Sequence, residues 1–150
     1  QNGEGMTRIA AALIILSIAC VACGRRAPSI DFGKAECAHC RMNVVDRQFA
    51  AAVVTTKGRQ YVFDDLACMV QHVADGAIAE DQVDAWYVCD HAHPGALIDA
   101  TSAFYLSGPA FRSPMRGDVA AFAAEADREN ARVEDAIPLD WNGARSQALK

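Results

Sequence analysis

With 150 residues, the chain has room for one compact domain, or two very small ones sharing a core, and is too short for a multidomain machine. Hydrophobic residues make up 52% and charges of both signs are scattered without a like-charge block, which argues for a folded soluble body rather than disorder. A net charge of −5 without a basic stripe or interleaved aromatics leaves no electrostatic footprint for a phosphate backbone, so nucleic acid is not an expected partner.

In chain order, Gln1 to Gly5 precede Met6, the first methionine, and are read as upstream sequence without functional weight. Arg8 then precedes an uncharged run from Ile9 that is too short to span a bilayer comfortably, the pattern of a signal peptide over residues 1–23. The run ends in Leu16-Ser17-Ile18-Ala19-Cys20, which resembles the lipobox of bacterial lipoproteins. Cys20 is the expected lipid anchor, and Cys23, preceded by Ala22, is the alternative; an ordinary cleaved signal without lipid is the competing reading. The anchor predicts a protein of the bacterial cell envelope, held on the membrane and facing the periplasm. Residues 24–34 carry Pro, Ser and Gly without periodicity and read as a tether.

Residues 35–78 predict a first β-β-α unit. Residues 49–56 are rich in Ala, Val and Thr, Lys57-Gly58 supplies a turn, and residues 59–63 return as a second strand. Asp64 or Asp65 can cap a helix whose Leu66, Met69, Val70 and Val73 fall at helical spacing, and Gly76 is placed to end it. Residues 79–137 predict a second α+β unit with strands at 85–89 and 101–106, a break at Gly108-Pro109, and a Ser113-Pro114-Met115 loop. A helix is expected next, capped by Asp118 and burying Val119, Phe122, Ala123 and Ala126. Residues 138–150 read as a loose tail. The fold class is thus α+β, with two small similar units, each of strands with one packing helix.

Export changes how the remaining cysteines are read, because thiols in an oxidising compartment become disulfides unless a metal or a reductase protects them. Cys37, Cys40, Cys68 and Cys89 are the ones to explain. The densest group is Cys37-Ala38-His39-Cys40-Arg41-Met42, with two thiols, an imidazole and a thioether within six positions. Thiolate and thioether are soft donors that suit Cu(I), whereas zinc sites draw on cysteine, histidine and carboxylate and rarely use methionine. The bland alternative is a local disulfide beside a core methionine. A second group is Cys68 and Met69, with His72 one turn after Cys68; the i, i+4 spacing sets Cys68 and His72 on a side largely opposite Leu66, Val70 and Val73. Core packing serves Met69 as well as ligation does. Met115 sits in a constrained loop from which it can reach a metal. Cys89, His91 and His93 could form a weaker second site, though loop histidines more often face solvent. Asp64, Asp65, Asp90 and Asp99 read as caps and turn formers. No nucleophile elbow, triad order or Gly-rich phosphate loop is present, so no enzyme is expected.

Three ordered motifs, Cys37-x-x-Cys40-x-Met42, Phe63-Asp64-Asp65-x-x-Cys68-Met69 and Pro114-Met115, together with the lipobox, make the chain resemble the NosL family of copper-chaperone lipoproteins associated with nitrous oxide reductase. The resemblance covers residues 36–122. It implies two small, similar α+β units and Cu(I) bound by a mixed set of cysteine, methionine and histidine. It also implies delivery of that copper for assembly of the copper-sulfur cluster of nitrous oxide reductase. Of the matched positions, Cys40 and Met42 are the leading ligands, with Cys37, His39, Cys68, Met69 and Met115 competing for the remaining places. Arg41 stands where the family usually has glycine, and Cys89, His91 and His93 lie outside its pattern. Two other readings compete: a thiol-disulfide oxidoreductase in which Cys37 attacks and Cys40 resolves, and a structural module whose cysteines are bridged or bind zinc.

Overall fold

The computed structural model describes residues 27–150; the signal segment, with Cys20 and Cys23, lies outside them. Two antiparallel sheets form the frame. The first has the order β2-β1-β3-β4, built from β1 (Ala51–Thr55), β2 (Gln60–Phe63), β3 (Val83–Cys89) and β4 (Leu97–Asp99). β1 occupies an interior place, pairing Ala51 with Phe63 on one side and with Val88 on the other. Its small, apolar Ala51, Ala52 and Val53 are fully buried, as a strand covered on both faces requires. Gly58 turns the hairpin at φ +79°, a left-handed conformation that glycine adopts without a Cβ penalty.

Helix α1 (Leu66–Ala74) follows β2 directly. Asp65 caps it, its Oδ1 accepting from the Cys68 N–H at 2.9 Å, and Gly76 at φ +79° ends it. Of the two expected caps, Asp65 is the one used. Leu66, Met69, Val70 and Val73 face the core as their spacing predicts. Cys68 departs from expectation: it is only 2% exposed, with Cys37 and Cys40 gathered against it and the Met115 loop hydrogen-bonded to its capping Asp65.

The second sheet has the order β6-β5-β7, from β5 (Phe104–Ser107), β6 (Val119–Phe122) and β7 (Ile137–Leu139). A parallel bridge between Asp90 and Ala121 joins it to the first. One apolar core runs through both, taking Val53, Phe63, Met69 and Val88 from one side and Tyr105, Val119 and Ala121 from the other.

Three expectations for the second half are corrected. Residues 119–122 form strand β6, not the start of a helix; Val119, Ala120, Ala121 and Phe122 are all buried, whereas a surface helix hides a single stripe. The helix there, α2 (Glu125–Asn130), starts later and buries no residue. β3 and β4 are hydrogen-bonded into the first sheet, because β1 needs a partner on its second edge. Residues 138–150 are not a loose tail: they hold the end of β7 and helix α3 (Trp141–Ala148), capped by Asp140 through the Gly143 N–H at 2.7 Å. α3 packs on α1 and β5. Trp141 meets Trp86 edge-on at 5.5 Å and Tyr105 at 6.3 Å, and Arg145 lies over both indoles while pairing with Glu80 at 2.7 Å.

Candidate metal centre

The loop holding Cys37 and Cys40 is a tight reversal tied to the first sheet. Glu36 pairs with Asn43, the Cys37 N–H donates to the Met42 carbonyl at 2.8 Å, and the Ala38 N–H donates to the Val62 carbonyl of β2 at 2.9 Å. Arg41 takes φ +67° to close the turn. A side chain there costs about 1–2 kcal/mol, which explains why glycine is the easier residue at this point. The reversal turns Cys37 and Cys40 toward the first turn of α1, where Cys68 sits. The three Sγ atoms lie within 4.8 Å of one another, and all three cysteines are free. A metal–thiolate bond of about 2.3 Å sets the sulfurs of a three-coordinate centre about 4 Å apart, so the cluster fits one ion with little movement.

The electrostatics single out one thiolate. The Cys68 thiol donates to Cys37, and the backbone N–H groups of Cys40, Asp64 and His39 also point at it, together pulling the Cys37 thiol down to about 5 against the cost of burial. The same hydrogen bond, with burial, pushes the Cys68 thiol up, and burial pushes Cys40 up. Cys37 therefore enters as thiolate and the other two as thiols. Lowered in the fold from the ordinary 9.0, Cys37 gives the metal-free protein stability that is fully present above pH 9 and is lost as pH falls through about 5. Thiolate ultraviolet absorbance should show one ionised cysteine persisting to about pH 5, and Cys37→Ser should remove that signal; a profile in which all thiols ionise only above pH 8 contradicts the assignment. Asp64, buried beside Cys37, is pushed up to about 6 by desolvation and by the neighbouring Cys37, Asp65 and Asp46 charges. Its Oδ1 has no hydrogen-bond partner among the described residues.

Beside the sulfurs lie imidazole groups and the Met115 thioether. A cavity of about 190 Å³ is lined by His39, Cys68 and Met115, with Ala67, Gln71 and Ala148. The His39 and His72 rings meet edge-on at 5.9 Å, and His72 also packs on Phe63 at 5.3 Å. Burial and His39 hold His72 below its ordinary value, as a neutral base. Met115 is 40% exposed and Met42 54%, so both thioethers can be reached from solvent. Met69 is fully buried within the hydrophobic core.

The third group suggested by the sequence does not converge. Cys89 is buried in the core, its thiol raised to about 11 by desolvation. The His91 ring is enclosed by Phe49, Phe111 and Phe122 at 5.3–5.6 Å, and exposed His93 pairs with Asp90 at 2.8 Å. Among the histidines, cysteines and carboxylates of the described residues, the cluster of three or more donors is Cys37, Cys40 and Cys68. Sequence reading missed what Asp65 does beyond capping: its Oδ2 accepts from the Ser113 hydroxyl at 2.6 Å and the Met115 N–H at 3.1 Å. A cap motif followed by cysteine was the available signal.

Comparison with known proteins agrees with this architecture. No curated protein sequence gives a match. A solved structure, the copper chaperone NosL from Shewanella denitrificans, is 21% identical, with 71% of this chain and 85% of that chain covered at a TM-score of 0.60, a likeness of fold. The family model for NosL matches residues 31–133, which contain both sheets' paired strands as far as β6 and all three clustered cysteines, and on that match the chain belongs to the NosL family.

Proposed function

We propose that this protein is a copper chaperone that takes up one Cu(I) at Cys37, Cys40 and Cys68 and passes it to a cuproenzyme, with nitrous oxide reductase and the assembly of its copper-sulfur cluster as the destination. The observation that carries this reading is the convergence of three free cysteine sulfurs from two separate elements within 4.8 Å. Family membership and the copper chaperone that shares the fold support it. Thiolates give affinity for a soft ion, while the exposed thioethers of Met42 and Met115 and the imidazole of His39 are neutral donors through which the ion can leave by ligand exchange. Because Cys37 is already ionised whereas Cys40 and Cys68 hold protons, loading releases two protons, and affinity falls as pH falls.

The lipid anchor at Cys20, or Cys23, belongs to the same proposal: it would hold the chaperone at the periplasmic face of the membrane, near an exported recipient. A mature protein of unmodified mass, released without detergent, would overturn that part.

The oxidoreductase reading gains a low thiol value at Cys37 but loses access. Cys37 is fully buried and lies in a tight reversal closed by the Glu36–Asn43 bridge, whereas an attacking thiolate must reach its substrate. Metal analysis of protein purified anaerobically separates the readings. Stoichiometric copper is expected; zinc in its place points to a structural module, and a metal-free protein that reduces disulfides points to the enzyme.

A further inference from the structure

We propose that Asp65 is a positioning residue that holds the Met115 thioether at the mouth of the cysteine cluster; this rests on the copper reading above. One carboxylate serves both walls of the site. Its Oδ1 fixes the backbone of Cys68 at 2.9 Å, and its Oδ2 accepts from the Ser113 hydroxyl at 2.6 Å and the Met115 N–H at 3.1 Å. The link spans 50 residues of sequence and joins α1, which follows β2 of the first sheet, to the loop that precedes β6 of the second. Asp65 and Ser113 are 1% and 3% exposed, so the bond between them forms away from competing water. Ser113 extends the chain of bonds by accepting from the Asp118 N–H at 3.1 Å.

A second, independent feature presses the same loop onto the same helix. A Cβ on Gly117 would fall 2.9 Å from the Ala67 Cβ, so only glycine lets the loop approach α1 this closely. The loop also carries Arg116 and Asp118 at φ +63° and +50°, a backbone that persists only where its surroundings hold it. The clamp thus places Met115 in the wall of the cavity shared with Cys68 and His39. Without it, the exposed thioether would sample many positions and bind the ion at an entropic cost. Residues that orient ligands in this way typically alter metal affinity by 10–100-fold.

The test uses the full chain and four variants: Met115→Leu, Asp65→Asn, the two combined, and Ser113→Ala. Asp65→Asn keeps an oxygen for the Cys68 N–H but puts an amide donor against the Met115 N–H, so the helix cap stays and the hold on Met115 is lost. Cu(I) affinity is read by anaerobic competition with a chelator, and the methyl resonance of Met115 by NMR with labelled methionine. Asp65→Asn and Met115→Leu should each weaken Cu(I) by about tenfold, and the double variant should be no weaker than either single one. The Met115 methyl shift on copper binding should shrink in Asp65→Asn and in Ser113→Ala, which leaves the cap untouched. Losses that multiply in the double variant overturn the proposal, and so does an unchanged Met115 shift in Ser113→Ala, which stays readable even if Asp65→Asn does not fold. No Cu(I) uptake by the parent would overturn the copper reading itself and this inference with it.

Discussion

Replacing Cys68 by Ser is expected to weaken Cu(I) binding by about a thousandfold or more, equivalent to about 4 kcal/mol, with Cys37→Ser and Cys40→Ser in the same range. Each removes one of three soft anionic donors that the fold has brought within 4.8 Å, and a hydroxyl cannot replace thiolate toward a soft ion. The effect at Cys68 is the informative one, because this residue lies outside the dense Cys37-to-Met42 segment and joins the site only through the packing of α1. Two controls should leave affinity unchanged. Cys89→Ser alters a thiol buried elsewhere in the core, and Met69→Leu conserves volume at a fully buried position, costing less than about 1.5 kcal/mol of stability. Chelator competition under reducing, anaerobic conditions reads all five variants; retained affinity in Cys68→Ser, or lost affinity in Met69→Leu, contradicts the assignment.

The second large effect concerns the C-terminal helix. Trp141→Ala should lower stability by about 2–3 kcal/mol, because the half-buried indole meets Trp86 and Tyr105 and lies under the Arg145 guanidinium. Deleting residues 141–150 also removes Ala144, which is fully buried, and should cost about 5 kcal/mol, comparable to the whole stability of a marginal domain. Urea unfolding followed by tryptophan fluorescence measures the Trp141 variant, and circular dichroism the deletion. A change below about 0.5 kcal/mol, the range of ordinary surface substitutions, would mean that α3 does not belong to the core. Ala148 of this helix also lines the cavity at Cys68, so the deletion should loosen the metal site too.

The first half of the chain was the more legible. The β1–β2 hairpin, the turn at Gly58 and the apolar stripe of α1 all follow from local signals that agree with one another. The second half misled at residues 119–122, where a short apolar run suits a strand or a buried helix equally; pairing with β5 decides the matter, and that lies outside local sequence. In α3, Asp140 carried a cap signal, but Gly143 and few apolar residues hid the helix behind it. At the metal centre, residue chemistry identified the donor types, while density along the chain favoured Cys40 with Met42. The structure brings Cys68 to Cys37 and Cys40 as well. Such a grouping comes from one loop folding over another element, which spacing alone does not encode. The same holds for Asp65, whose cap was readable but whose reach to Ser113 and Met115 was not.

Copper X-ray absorption of the one-to-one Cu(I) complex, prepared anaerobically, tests the central claim most directly. Three thiolates from two elements predict a first shell dominated by sulfur at about 2.3 Å, reduced by one sulfur in Cys68→Ser if that variant is loaded at high copper. A shell dominated by nitrogen or oxygen, or a sulfur count that Cys68→Ser leaves unchanged, would contradict it.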